Sequence, residues 1–502
     1  MGKPLRIAML GWAWPPLGPR EGSGMNLNVG ELAAGLVTRG HQVAYLRAGV
    51  TYSLRPGVSV HRHDAWRGIE LFDLANALNL ATANFNFRNP SRQCNDEATT
   101  AAVLAWLGEV RPELVHVHSM EGFGFDLIHA IVAEDVPVVL TPHNYYWLCP
   151  QIDLFRRESR ICDDYDAGRA CIGCLEAPRP AKECVRRACE QTLTRVKAAG
   201  GPGGALASIA LPIAQVLLAT PHRPPTHEPA ADARAAEQSL LANSTSHARG
   251  ENEYASRRRA GVAALNACHA VLCPSPCLLD VHRAMGVEPS RLKVVRLGQP
   301  HFDAINAATC VSPEYTQPPW TPASSRPLRL AFHGNVHPNK GLGVLAGAIE
   351  QLPPEIVTRI EILIRVGTGD EPWRERLGRF GWVRFAGAYA PGDLPAMVGE
   401  ADVGLFPNQG LDNSPFVMLE HLHAGRFTLC SNVGGPRGWI TLPRNGLLIP
   451  ANEASAWADA IASIVDGRVP LPSPSQVHAA SGLVTHAQHV DAVEREYRNA
   501  MD

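Results

Sequence analysis

The chain has no excess of charge of either sign. Lys and Arg number 46 against 48 Asp and Glu, a net charge of −2. A protein that grips a polyanion needs a basic balance, so nothing here points to nucleic acid as a partner. Long apolar runs are also scarce. The one membrane-like stretch is Gly203 to Ala219, GGALASIALPIAQVLLA, which is at the short limit for a span and contains Gly and Pro. A buried or interfacial helix is the better reading, with peripheral membrane contact as a corollary. No export leader is visible: the apolar run Ile7 to Trp14 is short and stops at Pro15-Pro16. The expectation is a cytoplasmic chain, at most peripheral to the inner face of the membrane. In that setting a disulfide framework is a poor account of the 12 cysteines.

Glycine and proline are plentiful, at 44 and 41, which suits a chain with many strand-to-helix turns. A length of 502 residues is too great for one ordinary core, so two domains with an inserted segment are expected. The apolar run Arg6 to Gly11 reads as a buried strand. A Gly-rich loop with Gly22 and Gly24 follows, then a helix from about Asn26 to Arg39 and a second strand, His41 to Leu46. This is a βαβ unit. The glycines either let a ligand approach the backbone and the helix start, or merely shape a turn. Leu114 to His118 and Val136 to Thr141 read as further strands, placing His118 and His143 at successive carboxyl ends. Histidines there are either packed and hydrogen-bonded or part of a site.

After a connector rich in Pro and Thr, strand and helix signals alternate again from Leu328. The result is two Rossmann-like halves facing a cleft. The expected division is 1–300 for the first domain, with an insertion at about 149–250, and 301–327 for the linker. The second domain would occupy 328–480, and a helix at 481–502 would cross back to the first. Asp412 and Glu420 stand out in the second half. They are separated by seven residues, with Asp412 in the loop after a strand and Glu420 in the first turns of the helix that follows, a way to present two carboxylates at the carboxyl edge of a parallel sheet. Open α/β folds bind ligands at that edge.

The ordered segments VHVHS, LTPHNYYWLCP, KVVRLG, GNVHPNKGL, VGTG, VRFAGAY and ADVGLFPNQGLDNSPFVMLE together carry a resemblance. The chain resembles a family 4 glycosyltransferase of the GT-B fold over almost its whole length outside the insertion. The resemblance implies a nucleotide-diphosphate sugar as donor and transfer with retention of configuration. It implies no metal in catalysis, and a glycan, glycolipid or metabolite acceptor, suggesting cell-surface polysaccharide biosynthesis. Lys340 would meet the diphosphate, Glu420 the ribose hydroxyls, Asp412 the donor sugar, and His143 the reacting centre. Further donor contacts are implied for Gly22, Gly24, Gly334, Asn335, Gly387, Ala388, Tyr389, Ser414 and Pro415, with backbone help from Gly434 and Gly435. His118 would act one layer behind.

There are departures from the family pattern. Asp412 stands where the first acid is usually Glu, and Asn335 stands where an arginine is common. Arg365 and Arg437 are the candidates to supply the missing charge. His421 and His423 replace small residues. Asp412 and Asn335 are also the features that favour the rival reading, a non-catalytic GT-B protein that binds a nucleotide sugar or a partner enzyme. Separately, Cys149, Cys162, Cys171 and Cys174 offer four thiols with one CxxC pair. They could form a structural zinc site, a redox or iron–sulfur site, or a group of unmetallated thiols.

Overall fold

The structure is a computed structural model that describes residues 3–163, 165–175, 180–199, 201–218, 233–242, 252–387, 389 and 391–502. The first sheet contains β1 (Arg6–Gly11), β2 (Gln42–Thr51), β3 (Ser59–Trp66), β4 (Ile69–Ala75), β5 (Leu114–Val117) and β6 (Val138–Leu140). A separate small hairpin, β7 (Phe155–Arg156) and β8 (Arg160–Ile161), follows in the chain, and β9 (Ala270–Cys273) and β10 (Leu292–Val294) complete the first sheet. Its order is β10-β9-β6-β5-β1-β2-β4-β3. All pairings are parallel except β3 with β4. β1 runs beside β2 with Leu10 opposite Leu46, and beside β5 with Leu10 opposite Val117. Five of its six residues are buried, as a strand covered on both faces requires. β3 is mostly exposed and polar, an edge strand without an apolar signal of its own.

The second sheet comprises β11 (Leu328–Gly334), β12 (Ile360–Val366), β13 (Val383–Ala386), β14 (Val403–Phe406), β15 (Phe427–Ser431) and β16 (Gly446–Ile449). Its order is β13-β12-β11-β14-β15-β16, with every pairing parallel. The chain reverses its direction of travel across this sheet between β11 and β14. In the first sheet the corresponding place lies between β1 and β5. Connecting loops diverge at such switch points and leave a crevice at the carboxyl ends.

The two halves share apolar contacts. Leu411, Val433 and Ala451 of the second half belong to the same buried cluster as Tyr145, Leu148 and Leu278 of the first. The terminal helix His486–Met501 lies on the first sheet, where Val490, Val493 and Tyr497 pack with Ile7 and Met9. Burying each such side chain contributes on the order of 1.5–3 kcal/mol. The segment expected to be a plain connector opens with a helix, Pro300–Cys310, whose Phe302 packs with Met418 and Trp439 of the second half. The Gly/Ala-rich run near 203 forms part of the helix Gly201–Leu218. Among the described residues no helix is long and apolar enough to cross a membrane.

Candidate active site

The loops after β11 and β14 flank the switch point of the second sheet, and they carry Lys340 and Asp412. Lys340 ends the short turn Pro338–Lys340, whose start is capped by His337 Nδ1 accepting from the amide of Asn339. Gly341 then takes a left-handed conformation at φ 72°, and a Cβ there would lie 1.7 Å from the carbonyl oxygen of Pro407. Only glycine fits, so the lysine loop can seat directly on the loop that leads to Asp412. Lys340 Nζ donates to Asp412 Oδ2, and Asn408 Nδ2 donates to the same oxygen at 2.8 Å. Burial works against the charge on Lys340, but Asp412 and, further off, Asp153 override it and hold the lysine above its ordinary range.

Glu420 lies in the helix Phe416–His423, which begins just after Pro415. Its side chain is buried, with His301 Nε2 3.3 Å from Oε1. Glu420 Oε2 has no hydrogen-bond partner among the described residues. A buried carboxylate oxygen without a donor is costly unless a ligand supplies one. Tyr389 lies near enough for the Glu420 charge to add to the effect of burial, which raises its phenol to about 12. Gly387 is exposed, and its carbonyl accepts from Arg365 Nη1 at 3.4 Å. Ala388 lies outside the described residues. Gly334 closes β11, and the exposed Asn335 turns inward on its own loop, accepting from the amide of His337 at 3.0 Å.

From the first half, His143 sits beyond the end of β6 and His118 beyond β5. His118 Nδ1 and His143 Nε2 are 3.2 Å apart. Burial drives His143 down to about 3, so its imidazole is neutral throughout the physiological range. Behind this pair, His116 bridges Tyr497 Oη at 2.6 Å and Thr141 Oγ1 at 2.8 Å, which ties the terminal helix to the histidine row. Tyr145, two residues beyond His143, feels the charges of Glu237 and Asp412, so this loop faces the second half.

Gly22 caps the helix Ser23–Thr38 in a left-handed conformation, and Gly24 lies in its first turn. The space beside Gly24 is taken by the Phe416 ring, 3.2 Å from where a Cβ would stand. That glycine lets the first half close onto the helix that bears Glu420. Ser414 Oγ donates to Pro274 O at 3.3 Å, and Ser275 Oγ donates to Asn413 Oδ1 at 2.7 Å, so the two residues just after Asp412 are bonded to the turn that follows β9.

Several groups here were not singled out from the sequence. Asp153, just before the hairpin of β7 and β8, is pushed up to about 6, mainly by burial and also by Asp412; His337 and Lys340 pull the other way. Glu121, after β5, is buried and raised to about 7, although the amide of Ala83 donates to it at 2.6 Å. Glu237, in the helix Ala233–Ala242, accepts from the Arg437 guanidinium and from the amide of Gly434. Arg437 is therefore already paired, whereas Arg365 donates to the carbonyl of Gly387. Nothing in the local sequence around Asp153 or Glu237 distinguishes these acids from ordinary surface carboxylates.

The expectation of a zinc site at Cys149, Cys162, Cys171 and Cys174 is corrected. Among the described residues no group of three or more His, Cys, Asp or Glu side chains is placed to hold a metal ion. The four cysteines are free of disulfides. Burial pushes all four thiols upward, Cys162 to about 12 and Cys174 to about 11, so they are neutral. Cys174 Sγ donates to Gln151 Oε1 at 3.2 Å. These side chains pack as apolar thiols, with Cys171 and Cys174 in a small core beside Phe87 and Tyr165.

Two Rossmann-like sheets, parallel throughout except at the β3 edge, each with a switch point in its strand order, define the class as a two-domain protein of GT-B architecture. The family described as "Glycosyltransferase Family 4" matches residues 22–167, and "Glycosyl transferases group 1" matches residues 327–466, together more than half of the chain. The chain belongs to the family 4 glycosyltransferases. It is 32% identical over 134 residues to a phosphatidyl-myo-inositol mannosyltransferase of Mycolicibacterium smegmatis, covering 26% of this chain and 33% of that one. A protein of the same description from Mycobacterium leprae is 31% identical over 133 residues, covering 26% and 34%. The chain thus matches about a third of the length of these curated relatives. Among solved structures, Anabaena HepE in complex with UDP and glucose superposes with a TM-score of 0.53 at 13% identity, covering 99% of this chain and 100% of that one. Sucrose-phosphate synthase from Thermosynechococcus elongatus gives 0.56 at 15%, covering 99% and 98%.

Proposed function

We propose that this protein is a retaining hexosyltransferase that moves a sugar from a nucleotide-diphosphate donor to a glycan, glycolipid or metabolite acceptor in cell-surface polysaccharide biosynthesis, at the cytoplasmic side. The observation that carries the proposal is the meeting of Lys340 and Asp412 at the switch point of the second sheet, with the unpartnered Oε2 of Glu420 on the helix that follows. A ribose presents two adjacent hydroxyls, and a buried carboxylate with a vacant acceptor oxygen suits them. Lys340 and Arg365 would stabilise charge on the departing diphosphate, where fixed cations lower the barrier most. Asp412 would hold hydroxyls of the donor sugar. His143, being neutral, would hydrogen-bond to the sugar rather than act as a cation. The bond between the sugar's anomeric carbon and the diphosphate oxygen breaks with its electrons on the phosphate. The acceptor hydroxyl attacks on the same face, and its proton passes to the leaving oxygen. Gly387, Tyr389 and the Ser414-Pro415 turn line the donor side in this scheme.

The first half would hold the acceptor. A cleft of about 560 Å³ there is lined by Trp12, Glu21, Tyr52, Phe85 and Arg187 among others, a volume ordinary for small-molecule sites. The relative from Mycolicibacterium smegmatis is a phosphatidyl-myo-inositol mannosyltransferase, which supports a lipid-linked acceptor.

A second reading, donor binding without turnover, is favoured by one observation: Lys340 is already bound to Asp412. Incubation with uridine, guanosine and adenosine diphosphate sugars, scoring free nucleoside diphosphate, separates the two. Release from at least one donor is expected. Tight binding without release from any would overturn the transferase reading.

A further inference from the structure

We infer that Glu237 is a positioning residue through which the insertion holds the loop of Asp412 in its working place, resting on the donor site proposed above. Glu237 comes from the insertion helix Ala233–Ala242 and has no solvent exposure. Its Oε1 receives the amide of Gly434 at 3.3 Å, the Arg437 guanidinium, and the Cys277 thiol at 3.4 Å. Its Oε2 receives Arg234 Nη1 at 2.7 Å. A buried carboxylate is tolerated only when paired and fully hydrogen-bonded. Here one acid joins three parts of the chain: the insertion, the first-half helix Pro276–Ala284 through Cys277, and the second-half turn Gly434–Arg437.

That turn is in direct mechanical contact with Asp412. The amide of Gly435 donates to Asp412 O at 2.7 Å. A Cβ on Gly435 would lie 1.5 Å from Asn413 O, and one on Gly434 would lie 2.9 Å from Asp412 O. At such spacing the turn cannot move without moving the loop. The Asp412 carboxylate in turn meets Lys340 and Asn408. Glu237 therefore acts on Asp412 through Gly434 and Gly435, whose amides are committed to Glu237 and to Asp412 O and so do not supply the backbone help to a diphosphate that the resemblance implies. Apolar packing supports the same seat, with Ala233, Ala236 and Leu240 buried in the cluster that contains Leu411 and Val433. Loss of the carboxylate leaves a guanidinium and an amide without their acceptor at the domain boundary, where a partner's removal is felt most.

The test uses the full chain with Glu237→Gln and Glu237→Ala, read by hydrogen exchange and by donor kinetics. Glutamine keeps an acceptor oxygen for Gly434 but loses the charge for Arg437, and it guards against a failure of the alanine variant to fold. The expected result is exchange at least tenfold faster across residues 411–416 and 433–438 in the alanine variant, and an intermediate effect in the glutamine variant. β1 and β5 should be unchanged. Donor KM should rise tenfold or more while acceptor KM holds. Unchanged exchange in 411–416 in both variants would overturn the inference, as would acceleration spread evenly over both sheets. If the wild-type chain uses no nucleotide sugar, the donor reading fails by that result alone, and the exchange pattern still decides whether Glu237 holds the loop.

Discussion

Lys340 and Asp412, 72 residues apart, are joined by a direct charge-assisted hydrogen bond at the switch point of the second sheet. An ammonium that would meet a diphosphate and a carboxylate that would meet a sugar thus hold each other before any donor arrives. The pair is partly buried, with 30% of the Lys340 side chain and 19% of that of Asp412 exposed. Each group is preorganised by the other, and the lysine keeps its charge.

Removal of either donor contact should be severe. Lys340→Ala and Glu420→Ala should each lower donor use by about 100-fold or more, the scale for losing a charge-assisted contact in a closed site. Release of nucleoside diphosphate from a saturating nucleotide sugar is the assay. Glu420→Ala should leave the affinity for a 2′,3′-dideoxy nucleoside diphosphate unchanged, because the hydroxyls it grips are absent. Wild-type turnover in either variant would refute these assignments.

Asp412→Asn separates binding from transfer. The substitution frees Lys340 from its carboxylate, so nucleoside diphosphate should bind several-fold more tightly by calorimetry. Turnover should nonetheless fall at least tenfold, because the sugar loses a charged acceptor. Weaker nucleotide binding would show that the Lys340–Asp412 pair serves the fold rather than the donor.

Asp153 confers a pH dependence with a definite sign. Its folded value, about 6, lies above the ordinary range for an aspartate because it is buried, and Asp412 adds to the shift. A raised acid binds a proton more readily in the folded state, so its contribution to stability falls as pH rises from about 4 to about 6. At the site, protonation below pH 6 removes a negative charge that faces Lys340 and His337. Affinity for a nucleotide-diphosphate sugar should therefore tighten as pH drops from 7.5 to 5.5. Asp153→Asn should bind tightly across that range with a flatter profile. His143, with a value near 3, should add no inflection above pH 5.

Thiol chemistry checks the cysteine-rich segment. Cys310 is exposed, whereas Cys149, Cys171 and Cys174 are buried. Iodoacetamide at pH 7.5 should label Cys310 first, and the buried thiols should react only on unfolding, since the thiolate is the reactive form. Untagged protein should carry only a trace of zinc per chain, and a chelator should leave its melting temperature unchanged.

The sequence by itself determined two sheets built mainly of parallel strands, the order of the loops between those strands, and where Lys340, Asp412 and Glu420 fall in that order. These depend on local signals. Short buried strands are apolar runs, glycine and proline mark the turns between them, and the lysine and acid motifs are contiguous in the chain. β3 and β4 both go unread in the sequence: β3 is an exposed edge strand with no apolar periodicity, and β4, although buried, lies in the same mixed stretch. The tertiary structure alone decided which charges meet. Glu237 and Arg437 are 200 residues apart, and Asp153 and His301 reach the site from the cysteine-rich stretch after β6 and from the helix Pro300–Cys310. Burial and through-space distance set whether a carboxylate is a solvated surface acid or a buried partner. Neither quantity is encoded in the neighbours along the chain. The same holds for the four cysteines, whose spacing admitted a metal and whose packed, neutral thiols form no metal-holding group among the described residues.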